Sequence, residues 1–451
     1  MSNATPARVA ADVPAQSTAQ TPEERRHMRR VLLSSYLGSA VEFYDFLVYG
    51  TAASLVFGQI FFAQLDPLTG TIASFGTLAV GYLARPLGGA IFGHFGDRLG
   101  RKKMLVLTMA LMGVASTAIG LLPTQAQIGV AAPLLLILLR VIQGVALGGE
   151  WGGATLMALE HSNSRRRGFS AAIVNAGAPT GAVLAAAIMG AFSLLSKDDF
   201  LAWGWRVPFL LSAVLVGLAL WIRLGVHESP LFKKALQNAS ELSVTKRPMP
   251  LLEVLRRPKA VLLTCFAGAG GLAFQTLLAT FGLTFAILGG VDRSVALFAA
   301  AAGGFVNIFT LPMFGALSDR LGRRPVLIGG YVAGALLAYP VLQLIGSGDA
   351  FRVIIGYVIG YGLIVACLLG TLSSFISEQF ATTSRYTGAS LGYQLAATLG
   401  GGFAPLISAN ILAASGGKDA TFVAVFIGAA FVLGAVAVLL TRESFRKDLA
   451  G

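Results

Sequence analysis

The chain has 451 residues, of which 55% are hydrophobic and only 12% charged, and its mean hydropathy is +0.74. A soluble protein carries about 25% charged residues, so this composition excludes an ordinary soluble domain and indicates a surface that faces lipid. The net charge is +13. Because the basic residues lie between apolar runs, we expect positive charge held on the cytoplasmic side of a membrane and no nucleic-acid partner.

Residues 1–30 are predicted to form a disordered cytoplasmic tail. Twelve apolar runs follow, each close to the ~20 residues that a membrane span needs. They lie at about 31–58, 71–95, 103–122, 132–159, 168–194, 205–224, 259–288, 295–316, 325–346, 351–377, 387–413 and 420–441. The longest break, 225–258, is a predicted cytoplasmic linker between two six-helix halves, 31–224 and 259–441, and 442–451 is a short cytoplasmic tail. The predicted fold is an all-α membrane protein with twelve transmembrane helices in two pseudo-symmetric halves.

A short, charged, glycine-rich turn occurs once in each half, beginning at Gly93 and again at Gly315. Its glycines permit a tight turn, and its charges are placed to interact with neighbouring helix ends. We therefore predict a gate that opens and closes as the protein changes state. The alternative is a basic loop with incidental charges. The predicted gating residues are Gly93, Asp97, Arg98, Gly100, Arg101, Gly315, Asp319, Arg320, Gly322 and Arg323.

Two carboxylates, Glu42 and Asp45, lie about 18 Å into the first run at 1.5 Å per residue, where charge is costly and usually marks a transport pathway. Their i, i+3 spacing predicts one shared helix face. Two close carboxylates in a low dielectric are not both easily ionised, so the pair is a candidate proton carrier. The alternative is that they only brace helices by pairing with an arginine.

Two arginines also lie inside predicted spans. Arg85 is as deep as Glu42, and its guanidinium matches a carboxylate in a bidentate manner, so its partner is either a substrate carboxylate or one of the acidic residues. For Arg140 a structural and a functional role are equally open. The cysteines and histidines have no metal-ligand spacing, and we expect no metal, no cofactor other than a coupling proton, and no enzyme activity.

The doubled turn resembles the signature loop of the major facilitator superfamily. The segments 42–46, 85–89, 140–151 and 227–232 together resemble its metabolite:proton symporters, a group that includes shikimate, α-ketoglutarate, citrate and proline/betaine carriers. This resemblance implies proton-driven uptake of a small organic anion across the bacterial inner membrane by alternating access. The implied proton-coupling residues are Glu42, Asp45 and Glu150. The implied substrate-binding residues are Tyr44, Arg85, Arg140, Gln143, Trp151, Gln275, Asn307, Tyr393 and Gln394.

If the N-terminus is cytoplasmic, most of the 34 Lys and Arg residues lie in cytoplasmic segments. Both termini are therefore predicted to lie on the cytoplasmic side. The segment 150–153 resembles the shikimate-like branch of this group more than the dicarboxylate branch. One deep arginine favours a monocarboxylate over a tricarboxylate, so the leading substrate is a shikimate-like monocarboxylate, and we expect a monomer. Alternatives are a proline/betaine-type or dicarboxylate symporter, a proton-driven drug exporter, and a facilitative sugar porter.

Overall fold

A computed structural model describes residues 22–99, 101–148, 167–224, 254, 258–380, 385–417, 419–443 and 445, and within these ranges it contains helices and no strand. Each predicted apolar run contains a long helix, because every backbone N–H and C=O must be bonded within the segment when lipid surrounds it. The helices are α1 (Pro22–Leu55), α2 (Pro67–Leu99), α3 (Arg101–Leu121), α4 (Ala131–Gly148), α5 (Arg167–Phe192), α6 (Arg206–Leu224), α7 (Pro258–Ala279), α8 (Arg293–Leu321), α9 (Arg323–Ile345), α10 (Ala350–Glu378), α11 (Thr387–Ala414) and α12 (Thr421–Leu439).

By length and composition, nine helical segments of the described chain are suited to crossing a membrane, and Val106–Leu121 is a shorter apolar helix. Short helices cover Phe57–Phe61, Gln125–Ile128, Lys197–Asp199 and Phe281–Leu288. α1 begins at Pro22, so the prediction that 22–30 belong to a disordered tail is wrong for these residues. An apolar count does not detect a helix that extends beyond the bilayer through good helix formers such as Glu and Arg.

The two halves repeat one packing pattern. In each half the first and third helices pack on the sixth, and the second packs on the fourth. Between the halves, α5 packs on α8 and α2 packs on α11, which are equivalent pairs under the repeat. The duplicated turn in the sequence therefore corresponds to a duplicated arrangement of helices.

Glycines set the distance between α2 and α4. A methyl group at Gly88, Gly144 or Gly148 would overlap a backbone carbonyl oxygen of the facing helix. Small residues of this kind let membrane helices approach closely. The close approach brings Arg85 on α2 and Arg140 on α4 into one part of the N-terminal half.

A proline in α2 leaves a backbone carbonyl without its usual helical donor, and a residue of the C-terminal half donates a hydrogen bond to that carbonyl. Pro86 has no N–H, so the carbonyl of Tyr82 lacks the donor four residues on that a regular helix supplies. The hydroxyl of Thr398 on α11 donates to this oxygen at 3.0 Å. α11 is itself π-helical over Ala397–Gly402, which places Thr398 in an irregular segment facing α2.

The halves are in contact at both ends. At the end where α8 stops, Asp319 accepts N–H bonds from the first residues of α5. At the opposite end, Thr284 donates to the carbonyl of Ser54 at 3.3 Å, and the Arg293 guanidinium lies 4.4 Å from the centroid of the Phe200 ring. The two halves therefore contact each other on both sides of the space between them.

Candidate functional site

A small cavity lies between the halves. Its lining combines apolar side chains with amides and hydroxyls. Its lining residues are Phe43, Asn175, Ala178, Pro179, Gln275, Asn307, Leu311, Leu369, Leu372, Ser373 and Tyr393. Of the described residues that line it, none is charged. Three of the predicted substrate-binding residues, Gln275, Asn307 and Tyr393, therefore lie at this cavity.

Consecutive residues of α1 contact different neighbours, because each is rotated by about 100° around the helix axis from the one before it. Phe43 lines the cavity. The Tyr44 hydroxyl donates to the carbonyl of Pro208 on α6 at 2.7 Å, so Tyr44 points into the N-terminal half and away from the cavity. Glu42 lies within electrostatic range of the Tyr393 hydroxyl, as do Arg85 and Tyr82.

Asp45 is 1% exposed and points into the N-terminal half. The hydroxyls of Ser116 on α3 and Ser212 on α6 face its carboxylate, but neither carboxylate oxygen has a hydrogen-bond partner within 3.5 Å in the described chain. Glu42 and Asp45 thus have different neighbours despite the spacing that predicted a shared face. Residues three apart differ by about 60° around the axis, which in a packed bundle is enough to separate them.

Aromatic rings hold the guanidinium of Arg85. It lies 4.6 Å from the ring centroid of Phe46 and 4.4 Å from that of Tyr82. Arg85 is 6% exposed, and its Nε is buried without a partner. Within the described residues no carboxylate oxygen comes within 4.0 Å of it. A cation held by rings and lacking an anion is suited to receive one.

Arg140 is fully buried deeper in the same half. Its guanidinium lies 4.2 Å from the Phe46 ring centroid and 4.1 Å from that of Tyr49. Its Nη1 donates to Oε1 of Gln143 at 3.1 Å, and Nε2 of Gln143 donates to Oγ of Ser116 at 2.7 Å. These bonds make a directed chain from Arg140 to the serine that faces Asp45.

Asn175 is a cavity residue that the sequence analysis did not identify. Asn175 donates to Ser373 at 2.5 Å across the two halves, and both line the cavity beside Phe43 and Pro179. Neutral polar residues are hard to recognise as functional in a membrane sequence. The feature that sets Asn175 apart is its position directly before the break in α5 at Ala176. Gln394, which was predicted, donates to the carbonyl of Gly148 at 3.3 Å, and its Oε1 is buried without a partner.

The second copy of the charged turn bridges the halves. Asp319 accepts from the backbone N–H of Gly168 at 2.8 Å and of Phe169 at 2.9 Å, the first turn of α5. A carboxylate at a helix N-terminus is favourable because it meets unpaired N–H groups and the positive end of the dipole. Arg323 holds Asp319 at 2.8 Å and Glu378 at 3.1 Å.

The glycines of this copy have defined roles. Gly322 has φ +100, a region that favours glycine, and it ends α8. A side chain at Gly315 would contact Ala172 and the carbonyl of Gly168 on α5. Arg320 is exposed in the last turn of α8.

In the first copy, Gly93, Asp97 and Arg98 lie in the last two turns of α2, and Arg101 begins α3. Gly100, Glu150 and Trp151 lie outside the described residues, as does most of the linker.

The family model described as Major Facilitator Superfamily matches residues 35–392. The shikimate transporter of Escherichia coli (strain K12) is 39% identical over 421 residues, covering 93% of this chain and 95% of that protein. The proline/betaine transporter of Salmonella typhimurium (strain LT2) is 31% identical over 437 residues, covering 94% of this chain and 85% of that protein.

A crystal structure of a D-xylose-proton symporter has the same fold, with a TM-score of 0.73, 17% identity and coverage of 93% of this chain and 99% of its own. This chain belongs to the Major Facilitator Superfamily and is a transporter rather than an enzyme.

Proposed function

We propose that the protein is a proton-coupled symporter that carries a small hydroxylated ring monocarboxylate, such as shikimate, into the cell by alternating access. The observation that carries this proposal is the set of uncompensated buried charges in the N-terminal half. Asp45 has no cation beside it, and neither Arg85 nor Arg140 has an anion within ion-pair distance among the described residues. Such charges are costly in a low dielectric unless a proton or a ligand neutralises them.

The assignment of charge follows from position. Asp45 is shielded from the cavity and suited to take a proton, whereas Arg85 is close to Tyr393, which lines the cavity. A substrate carboxylate would reach Arg85 from the cavity. Arg140 is 0% exposed and lies behind the Phe46 ring. A second carboxylate on the substrate would therefore find no further accessible cation. One accessible guanidinium supports a monocarboxylate over a dicarboxylate.

The cavity lining supports a substrate with hydroxyl groups. Nδ2 of Asn307 donates to the carbonyl of Tyr361 at 2.8 Å, which fixes the amide and leaves Oδ1 as the free end. Oδ1 is buried without a partner in the described chain, so a ligand O–H would satisfy it. Phe43 and Leu311 offer an apolar surface for the face of a ring. The 39% identical relative is a shikimate transporter.

The proposed cycle uses the contacts at both ends of the cavity. From outside, a proton reaches Asp45 and the substrate carboxylate meets Arg85. Closure at the Ser54–Thr284 end then separates the substrate from the outside. Release inward requires Asp319 to leave the first turn of α5, which separates the halves at the predicted cytoplasmic end. In this proposal the coupling ion is a proton, and both termini are cytoplasmic in the inner membrane.

The test is uptake of labelled shikimate into proteoliposomes with an imposed pH gradient. We expect accumulation with wild type and its loss on adding a protonophore. Asp45→Asn and Glu42→Gln should lose gradient-driven accumulation while still exchanging shikimate across the membrane without a gradient. Asp66→Asn, an exposed carboxylate in a loop, is the matched control and should behave as wild type.

Gradient-driven accumulation that survives in both carboxylate variants would show that the coupling assignment is wrong. A specific alternative is a proline/betaine-type substrate, since one relative at 31% identity is a proline/betaine transporter. Glycine betaine has no O–H or N–H to donate to Asn307. A thermal-shift screen with shikimate, glycine betaine and a dicarboxylate separates these candidates, because a ligand of the folded state raises its stability.

A further inference from the structure

One aromatic ring contacts both buried guanidiniums of the N-terminal half. The Phe46 ring centroid is 4.6 Å from Arg85 and 4.2 Å from Arg140. Phe46 is 4% exposed, and Tyr82 meets it edge-on with a centroid separation of 5.0 Å and an interplanar angle of 87°. Two like charges repel, so a shared ring, whose face attracts each of them, is the element that keeps both in place.

The two guanidiniums face different parts of the molecule. Arg85 lies on the side of the cavity, near Tyr393. Arg140 begins the directed hydrogen-bond chain through Gln143 to Ser116, which faces Asp45. The ring therefore stands between the place of an incoming anion and the carboxylate that would take the proton.

We propose that Phe46 is the positioning residue that couples an anion at Arg85 to protonation of Asp45. This inference rests on the proposed symport. In the described chain the hydroxyls of Ser116 and Ser212 face the Asp45 carboxylate, and the Tyr44 hydroxyl is within electrostatic range of it. Neither guanidinium is among these groups. The route between the two sites therefore runs through the Phe46 ring and through the hydrogen bonds that join Arg140 to Gln143 and Gln143 to Ser116.

The direction of the coupling follows from the hydrogen bonds. When a substrate carboxylate draws Arg85 away from the Phe46 ring, the ring attracts only Arg140. The Arg140 guanidinium then shifts. Its bond to Gln143 shifts with it, and Gln143 draws Ser116 away from Asp45. A buried carboxylate faced by fewer polar hydroxyl groups is less well stabilised in its charged form and favours its neutral form. Substrate and proton are therefore bound together, which is the requirement for symport.

The position of the ring in the sequence strengthens this link. Phe46 directly follows Asp45 in α1, so a rotation of α1 that moves the ring also moves the carboxylate. Tyr82, which braces the ring, also contacts the other half, where its hydroxyl lies 3.2 Å from that of Thr276. Movement of the C-terminal half is thus transmitted to the same ring.

The experiment measures protons taken up per shikimate bound to the purified full chain, by titration calorimetry in two buffers of different ionisation enthalpy. Phe46→Leu and Phe46→Met remove the ring face, and Phe46→Tyr keeps it. Phe75→Leu removes a ring that is equally buried in the same half and has no guanidinium over it among the described residues. Comparing the four variants separates loss of the ring face from loss of packing.

We expect proton uptake on binding in wild type, Phe46→Tyr and Phe75→Leu. In Phe46→Leu and Phe46→Met, shikimate still binds, and the number of protons taken up per shikimate falls towards zero. Unchanged uptake in either aliphatic variant overturns the role of Phe46 alone and leaves the symport proposal standing. Shikimate binding without proton uptake in wild type, or no binding, overturns the proposed function and this inference with it.

Discussion

The hydroxyl of Thr398 compensates for a proline in the other half, and a double-mutant cycle tests this. Thr398→Val keeps the shape of the side chain and removes the donor that reaches the Tyr82 carbonyl at 3.0 Å. Thr398 is 6% exposed and Tyr82 is 5% exposed, so water does not replace the donor. An orphaned buried carbonyl costs about 1–3 kcal/mol in proteins, and hydrogen bonds measured in membranes average less, so we expect a loss of ~1–2 kcal/mol.

The second arm of the cycle replaces the proline. In Pro86→Ala the new backbone N–H satisfies the Tyr82 carbonyl within α2, so Thr398→Val should then cost less than ~0.3 kcal/mol, within the range of additive effects. The assay is the free energy of unfolding in detergent for wild type, both single variants and the double variant. Thr264→Val is the control, because its hydroxyl donates only to carbonyls of its own helix.

An equal cost of Thr398→Val in the wild-type and Pro86→Ala backgrounds would refute this reasoning. It would mean that the hydroxyl of Thr398 stabilises the protein in some way other than by donating a hydrogen bond to the Tyr82 carbonyl.

Two further perturbations test the helix contacts. Gly144→Ala should lower the free energy of unfolding by roughly 1–3 kcal/mol, because the added methyl overlaps a carbonyl of α2; Gly76→Ala, with nothing within 4 Å, should be neutral or stabilising in the same assay, and equal effects would refute the packing argument. Asp319→Asn weakens two charge-assisted bonds to the start of α5, so hydrogen exchange there should accelerate by on the order of tenfold, for a loss of ~1.4 kcal/mol. Asp349→Asn, which caps only its own helix, should leave α5 unchanged, and unaltered exchange in Asp319→Asn would contradict a bridge between the halves.

Much of the architecture follows from composition and periodicity. Each of the twelve apolar runs contains a helix, because segments that meet lipid must satisfy their own backbone groups. The duplicated turn predicted two equivalent halves, and equivalent helix pairs do pack in each. The start of α1 was missed, since its first turns are polar and lie outside the apolar run.

The candidate site was only partly predictable. Charges inside apolar runs identified Asp45, Arg85 and Arg140 as unusual, because burial of charge is costly wherever it occurs. The cavity residue Asn175 was missed, since neutral polar residues are common in membrane helices and usually join helices.

The sequence by itself determined the class of protein, the twelve helices, the repeat and the identity of the buried charges, because these depend on local hydrophobicity and on residue type. Only the tertiary structure decided which charges are neighbours. Glu42 and Asp45, three residues apart, have different surroundings, whereas Arg85 and Arg140, 55 residues apart in the chain, share the ring of Phe46. The physical reason is that a side chain's environment depends on the rotation of its helix and on the distance to the next one. Those are set by close packing at residues such as Gly144 and Gly148, which no local pattern encodes.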